Sequence, residues 1–321
     1  MTLPNRSILA FLVLLAFIII TFSFLSPYFF SLANFLQAFK HLSVTAIAAL
    51  GLCFVVAVGK ADMSFHFFSC FAAMAMAYFV SIGFGPIAAI AAALTMVALW
   101  GGLNGYMVGK LQLPDMVTTI GTGTAVFGLA YLFSGGKYIY RNFIESGIMG
   151  LNDGRAFDVI PYPVIIMFAL YLAFWVLLHR TTHGRNFYAV GNKPVAARFS
   201  GINVALYISI AFVICAVLAG LSNMIQVSSQ GKGEIKAGLT LLMPAWAAVF
   251  VGIAVFKKPT VHGTFLGAFM ISIMQNGFTL MSVPFYFMDL VVSLTLILSI
   301  TLANLDAVLS RPFKFFRKAK E

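Results

Sequence analysis

Charge is what this sequence has least of. Lysine, arginine, aspartate and glutamate make up 9% of its 321 residues, against 61% hydrophobic residues. A soluble domain of this size needs far more charge to cover its surface, so a water-soluble globular fold is excluded. Acids are the scarcest group, with 9 Asp and Glu against 20 Lys and Arg. Short segments of alternating polar and apolar residues are also missing, which excludes a transmembrane β-barrel. Cysteine is confined to Cys53, Cys70 and Cys215. All three lie in apolar runs, with no metal or disulfide spacing, and read as small buried hydrophobes. Catalytic signatures are lacking as well. There is no Walker A loop, no His-Glu-x-x-His and no Gly-x-Ser-x-Gly, so no catalytic residue and no metal site is assigned. His41, His66, His179, His183 and His262 fall near the ends of apolar runs and read as interfacial polar residues.

Those apolar runs fill the chain. Each is roughly 20 residues long, enough to cross a hydrocarbon core of about 30 Å as a helix. Helices are required because lipid offers backbone groups no partner. The expected fold class is therefore all-α integral membrane, one transmembrane domain over 1–321 with about ten transmembrane helices. The spans are expected at about 8–26, 42–59, 64–82, 86–107, 116–134, 161–178, 205–227, 239–256, 262–281 and 286–304. Pro27, Pro86, Pro114, Pro161 and Pro284 sit at proposed boundaries, where a missing N–H costs least. The first run, Ile8 to Leu25, follows Arg6 with no small-x-small cleavage site, so it reads as an uncleaved span.

The formal net charge of +11 reads as topology. No basic run is interleaved with base-stacking aromatics, so nucleic acid is not an expected partner. With the N-terminus inside, the inner segments hold 14 of the 20 basic residues, including Lys60, Lys110, Arg180, Arg185, Lys193, Arg198, Lys257, Lys258 and the tail from Arg311 to Lys320. That bias puts both termini in the cytoplasm and gives an even number of crossings. There is also an internal echo. Asn104-Gly105 and Leu113-Pro114 in the first half are matched by Asn276-Gly277 and Val283-Pro284 in the second. An inverted repeat of spans two to five against seven to ten would produce it, and so would chance, since Asn-Gly and Pro are common at helix ends.

Few ionisable residues fall inside spans, which argues against an ion-driven carrier and for energy supplied by another subunit. The candidate translocation pathway is a polar set: Asp62 and Asn104, Asn223 and Gln226 three apart on one helix, Gln275 and Asn276, and Asp289. Any one of these residues could instead be interhelical glue. The G-x-x-x-G units at Gly101, Gly105 and Gly109, and at Gly263 and Gly267, read as close helix packing. The segment from His179 to Val204 is basic and polar. Within it, Pro194 opens and Ser200-Gly201 closes a short helix, either a docking knob or part of an ordinary interfacial loop.

The stretch Gly184-Arg185-Asn186-Phe187-Tyr188-Ala189-Val190-Gly191, followed by Ala196-Ala197 and Ser200-Gly201-Ile202, resembles the coupling loop of ABC-type monosaccharide importer permeases. Gly59-Lys60-Ala61-Asp62-Met63-Ser64, Gly102-Leu103-Asn104-Gly105, Thr118-Thr119-Ile120-Gly121-Thr122 and Gly263-Thr264 to Gly267 are similar to further motifs of that family. The resemblance covers nearly the whole chain. It implies the permease subunit of a binding-protein-dependent importer of a monosaccharide or small polyol in the bacterial inner membrane. Its implied partners are cytoplasmic ABC ATPase subunits, a periplasmic sugar-binding protein, and a second permease copy or paralogue. ATP would be bound by the partner, with no cofactor in this chain. The implied coupling residues in the 179–204 loop are Gly184, Arg185, Asn186, Ala189, Gly191, Ala196, Ala197, Arg198 and Gly201. Changing Gly191 to Asp or Arg185 to Glu is expected to weaken ATPase binding in a chain that still folds.

Lys60 departs from the family pattern, standing where a glycine is usual, as do Phe65-His66-Phe67 and the run from Ala254 to Pro259. These departures point to a paralogous partner or an unusual small cargo. Alternatives are the same machinery carrying a branched-chain amino acid or nucleoside, a secondary carrier without an ATPase, and a membrane enzyme. A reporter fused after Glu321 should report from the cytoplasm; an extracellular signal would overturn the orientation.

Overall fold

The structure is a computed structural model and describes residues 6–303. The basic tail residues counted above, from Arg311 to Lys320, lie outside the described residues. The helices are α1 (Arg6–Leu25), α2 (Leu32–Ala57), α3 (Phe65–Ser81), α4 (Pro86–Gly109), α5 (Asp115–Ala130) and α6 (Gly150–Asp153). They continue as α7 (Tyr162–Arg180), α8 (Thr182–Asn192), α9 (Pro194–Phe199), α10 (Val204–Ser228), α11 (Leu242–Phe256), α12 (Val261–Leu280) and α13 (Phe285–Ala303). Strand content among the described residues is a two-residue hairpin, β1 (Arg155–Ala156) against β2 (Ile160–Pro161), and one isolated bridge, Ile139 to Gly233.

Each expected span falls on a helix. Among the described residues, seven of the helical segments are long and apolar enough to cross a membrane. Pro86 opens α4, while Pro114 and Pro161 cap α5 and α7. The second helix differs from expectation. It starts at Leu32 rather than about 42, because the Ser31 hydroxyl accepts the Asn34 N–H at 3.2 Å and caps it. Lys40 therefore lies within a helix, paired with Asp153 at 2.8 Å. The three cysteines are fully buried and free. His66 departs from the interfacial reading: it is buried, with its ring on Phe67.

Burial separates a centre from a periphery. The apolar window of α2 is 78% buried and that of α1 only 11%. An exposed helix as apolar as α1 has no aqueous role, and its outer face is lipid-facing. The packing partners repeat. α3 lies on α4 and α5, and α11 lies on α12 and α13. α4 crosses onto α10 and α12 onto α2, while α3 touches α10 and α11 touches α2. Exchanging α2–α5 with α10–α13 thus turns each of these pairings into another, and the direct contact of α2 with α10 maps onto itself.

The stripe of Gly101, Gly105 and Gly109 forms the α4 side of the α10 contact. A Cβ on Gly105 would collide with the Cα of Ser209. Gly105→Val should therefore destabilise the bundle by about 1–3 kcal/mol through overpacking. Gly121→Ala, which meets open space, should not. Thermal unfolding in detergent checks this: equal melting of the two variants would contradict the packing.

Candidate functional site

The segment after α7 folds as two helices, not the loop with one short helix that its composition suggested. Thr181 makes the sharp entry: its hydroxyl donates to Leu177 O at 2.6 Å and accepts the Gly184 N–H at 3.2 Å. Gly184 allows the close approach, since a Cβ there would strike the Leu178 carbonyl. α8 then buries Gly184, Phe187 and Val190 on one face. Phe187 sits edge-on to Phe54 of α2 at 5.3 Å and to Tyr207 of α10 at 5.1 Å. The Asn186 amide donates to the Tyr207 hydroxyl at 2.7 Å, and the Tyr188 hydroxyl donates to Pro259 O at 2.7 Å.

α8 ends in a backbone-on-backbone contact. Gly191 lies against the Ala57 carbonyl and against Gly59, whose φ of +71° suits glycine. α9 follows as expected, opened by Pro194 and ended at Gly201 with φ +79°. Ala197 anchors it and is buried. Val195 and Phe199, four apart and so on one face, are 69% and 89% exposed. The coupling residues named from the sequence thus divide in two. Gly184, Asn186, Ala189, Gly191 and Ala197 seat the segment, while Arg185, Ala196, Arg198 and Gly201 are exposed. Gly191→Asp would therefore break a close backbone contact and test folding, not docking, whereas Arg185 remains a clean position.

The turn that Gly191 presses on carries a buried polar network. Asp62 is fully buried, and its Oδ1 accepts from the Ser64 N–H at 2.7 Å and the Ser64 hydroxyl at 2.5 Å. Asn104 of α4 donates to Ser64 Oγ at 2.9 Å and accepts from Thr122 of α5 at 2.7 Å. Asp115 at the head of α5 accepts the Ala61 N–H at 2.8 Å, and the Thr119 hydroxyl accepts the Met63 N–H at 3.0 Å. Burial pushes the Asp62 carboxyl pKa up, against the hydrogen bonds from Ser64.

Of the pathway candidates, only Asp62 and Asn104 meet, through Ser64. Asn223 is fully buried and donates to Ser69 O at 3.0 Å. Asn276 exchanges hydrogen bonds with Asn34 at 3.0 and 2.9 Å. Gln226 and Gln275 are half-buried, and Asp289 is exposed. The sequence reading missed Asn34, Ser64, Thr122 and Tyr207. Only Ser64 and Thr122 carried a signal, as polar positions inside the quoted motifs.

The family described as branched-chain amino acid transport system / permease component matches residues 34–300. The chain belongs to this family. The ribose import permease protein of Escherichia coli (strain K12) is 31% identical over 308 residues, 94% of each chain. The D-allose transport system permease protein of the same strain is 28% identical over 302 residues, 91% of this chain and 90% of the relative. The autoinducer 2 import system permease protein of Enterobacter sp. (strain 638) is 31% identical over 297 residues, 92% and 85% of the two chains. No solved structure matches. The permease is thus a multi-pass membrane component of a transport system and not an enzyme.

In this permease Asn104→Ala would leave Ser64 and Thr122 without their shared partner. The expected loss is about 1–3 kcal/mol of stability. Thr124→Ala, an exposed α5 residue bonded within its own helix, should melt like wild type. Asn104→Ala melting with it would contradict the network.

Proposed function

We propose that the permease is the transmembrane subunit of an ATP-driven, binding-protein-dependent importer of a monosaccharide or related polyol. It would cross the bacterial inner membrane about ten times with both termini in the cytoplasm. The exchangeable packing of α2–α5 and α10–α13 supports an inverted repeat. Relatives named for ribose, D-allose and autoinducer 2 support a sugar-like cargo over the amino acid in the family's description.

The observation that carries this reading is α9. This short helix rests on α8 and α10 through buried Ala197, while its Val195 and Phe199, beside the basic Lys193 and Arg198, are exposed. It is a surface for a partner, and in an importer with no Walker A loop that partner is the cytoplasmic ATPase. Movement of α9 passes to α8, and Gly191 transmits it to the turn at Gly59. Asp62, Ser64, Asn104 and Thr122 then connect that turn to α4 and α5. A second permease copy or a paralogue would complete the pathway, and a periplasmic sugar-binding protein would deliver cargo. In this reading Asp62 and Asn104 transmit motion and do not touch cargo, because both are fully buried.

Val195→Ser with Phe199→Ser should reduce copurification of the co-expressed ATPase by about tenfold or more, as loss of an apolar interface anchor does. Insertion and melting should be unchanged. Undiminished copurification would refute docking on α9. The permease alone in proteoliposomes should take up no ribose under a proton or sodium gradient, and uptake would favour a secondary carrier.

A further inference from the structure

One groove at the base of α9 shares Val195 with the exposed face of that helix and lies outside the buried polar network. It holds about 490 Å³ between α9, the turn after α2, the end of α4 and the start of α10. Val58, Val108 and Ile208 are buried and form an aliphatic floor. Half-buried Lys60 and exposed Arg198 and Gln112 form the mouth.

No acidic side chain lines this groove. The ion pairs among the described residues, Lys40 with Asp153 and Lys232 with Glu234, lie elsewhere. The acids nearest in sequence to Lys60 are engaged: Asp62 by Ser64, and Asp115 by the N–H groups of Ala61 and Met116. Two cations therefore share one cleft without a carboxylate between them. Like charges so placed favour a bound anion. The floor specifies the rest of the ligand, since a small hydrated anion gains nothing from valine and isoleucine. The ligand is an amphiphile with an anionic head. The site also lies at the ends of α2 and α4 and the start of α10, three helices apolar enough to span a bilayer, at the depth where headgroups sit.

We propose that this groove binds one anionic phospholipid, with its phosphate held at Lys60 and Arg198 and its first acyl methylenes on Val108 and Ile208. The proposal goes beyond the coupling reading and requires only that α2, α4 and α10 cross the membrane. It can be tested without ATPase, binding protein or cargo, so its failure would leave the importer reading standing.

The test is native mass spectrometry of the full chain in mild detergent, titrated separately with phosphatidylglycerol, phosphatidylcholine and inorganic phosphate. Wild type should retain one phosphatidylglycerol, no phosphatidylcholine, and be indifferent to inorganic phosphate. Lys60→Gln with Arg198→Gln should weaken phosphatidylglycerol about 30-fold, and Lys60→Gln alone about 5-fold should the double variant fail to fold. Lys110→Gln, a nearby cation outside the groove, should bind as wild type does. Equal retention of both lipids, equal loss in Lys110→Gln, or unchanged binding in the double variant would overturn the proposal. So would displacement by inorganic phosphate, which would mark a small-anion site. Absence of lipid from wild type, with the double variant losing only ATPase copurification, would assign the groove to a protein interface and equally overturn it.

Discussion

The account depends on one close backbone contact, Gly191 at the end of α8 against Ala57 and Gly59 where α2 stops. Neither Gly191 nor Gly59 can carry a Cβ there without collision or strain. The contact lets a short polar helix sit rigidly on α2, a deeply buried helix of the bundle. Phe187 and Val190 hold α8 from below, and the Asn186 and Tyr188 hydrogen bonds fix its rotation. With α8 fixed, α9 has only Ala197 to anchor it and presents its other face outward.

A rigid seat matters because close-packed interiors move between discrete arrangements and do not deform smoothly. The turn under Gly191 is tied on its far side by directional bonds. Asp62 fixes Ser64, Ser64 fixes Asn104, and Asn104 fixes Thr122. A displaced α8 must either carry this turn with it or break buried hydrogen bonds, and leaving such groups unpaired is costly. The lipid groove lies beside the same seat, so its occupant would contact both the lever and the helices it moves.

Much of this fold was legible in the sequence, and the places where it was not have physical causes. Apolar runs located the helices because lipid demands continuous hydrophobicity. Gln37, Lys40 and His41 concealed the first turns of α2, since a hydropathy reading stops at polar residues that a capped helix accommodates. α8 was concealed by its basic composition, although Phe187 and Val190 share a face. Pro194 and Gly201 marked α9 correctly because backbone chemistry bounds short helices. The site was harder. Sequence resemblance singled out Gly184 and Gly191 without distinguishing docking from seating. Asn276 gave no hint of Asn34, which is 242 positions away. Polarity within a span announces a hydrogen bond but not its partner.

The central claim is that α9 meets an ATPase. A photo-crosslinking amino acid placed at Phe199, irradiated in native membranes with the co-expressed ATPase, tests it most directly. Crosslinks to the ATPase, absent when the probe is moved to exposed Thr124, are the predicted result. Crosslinks from position 199 only to lipid or to a second permease copy would contradict it.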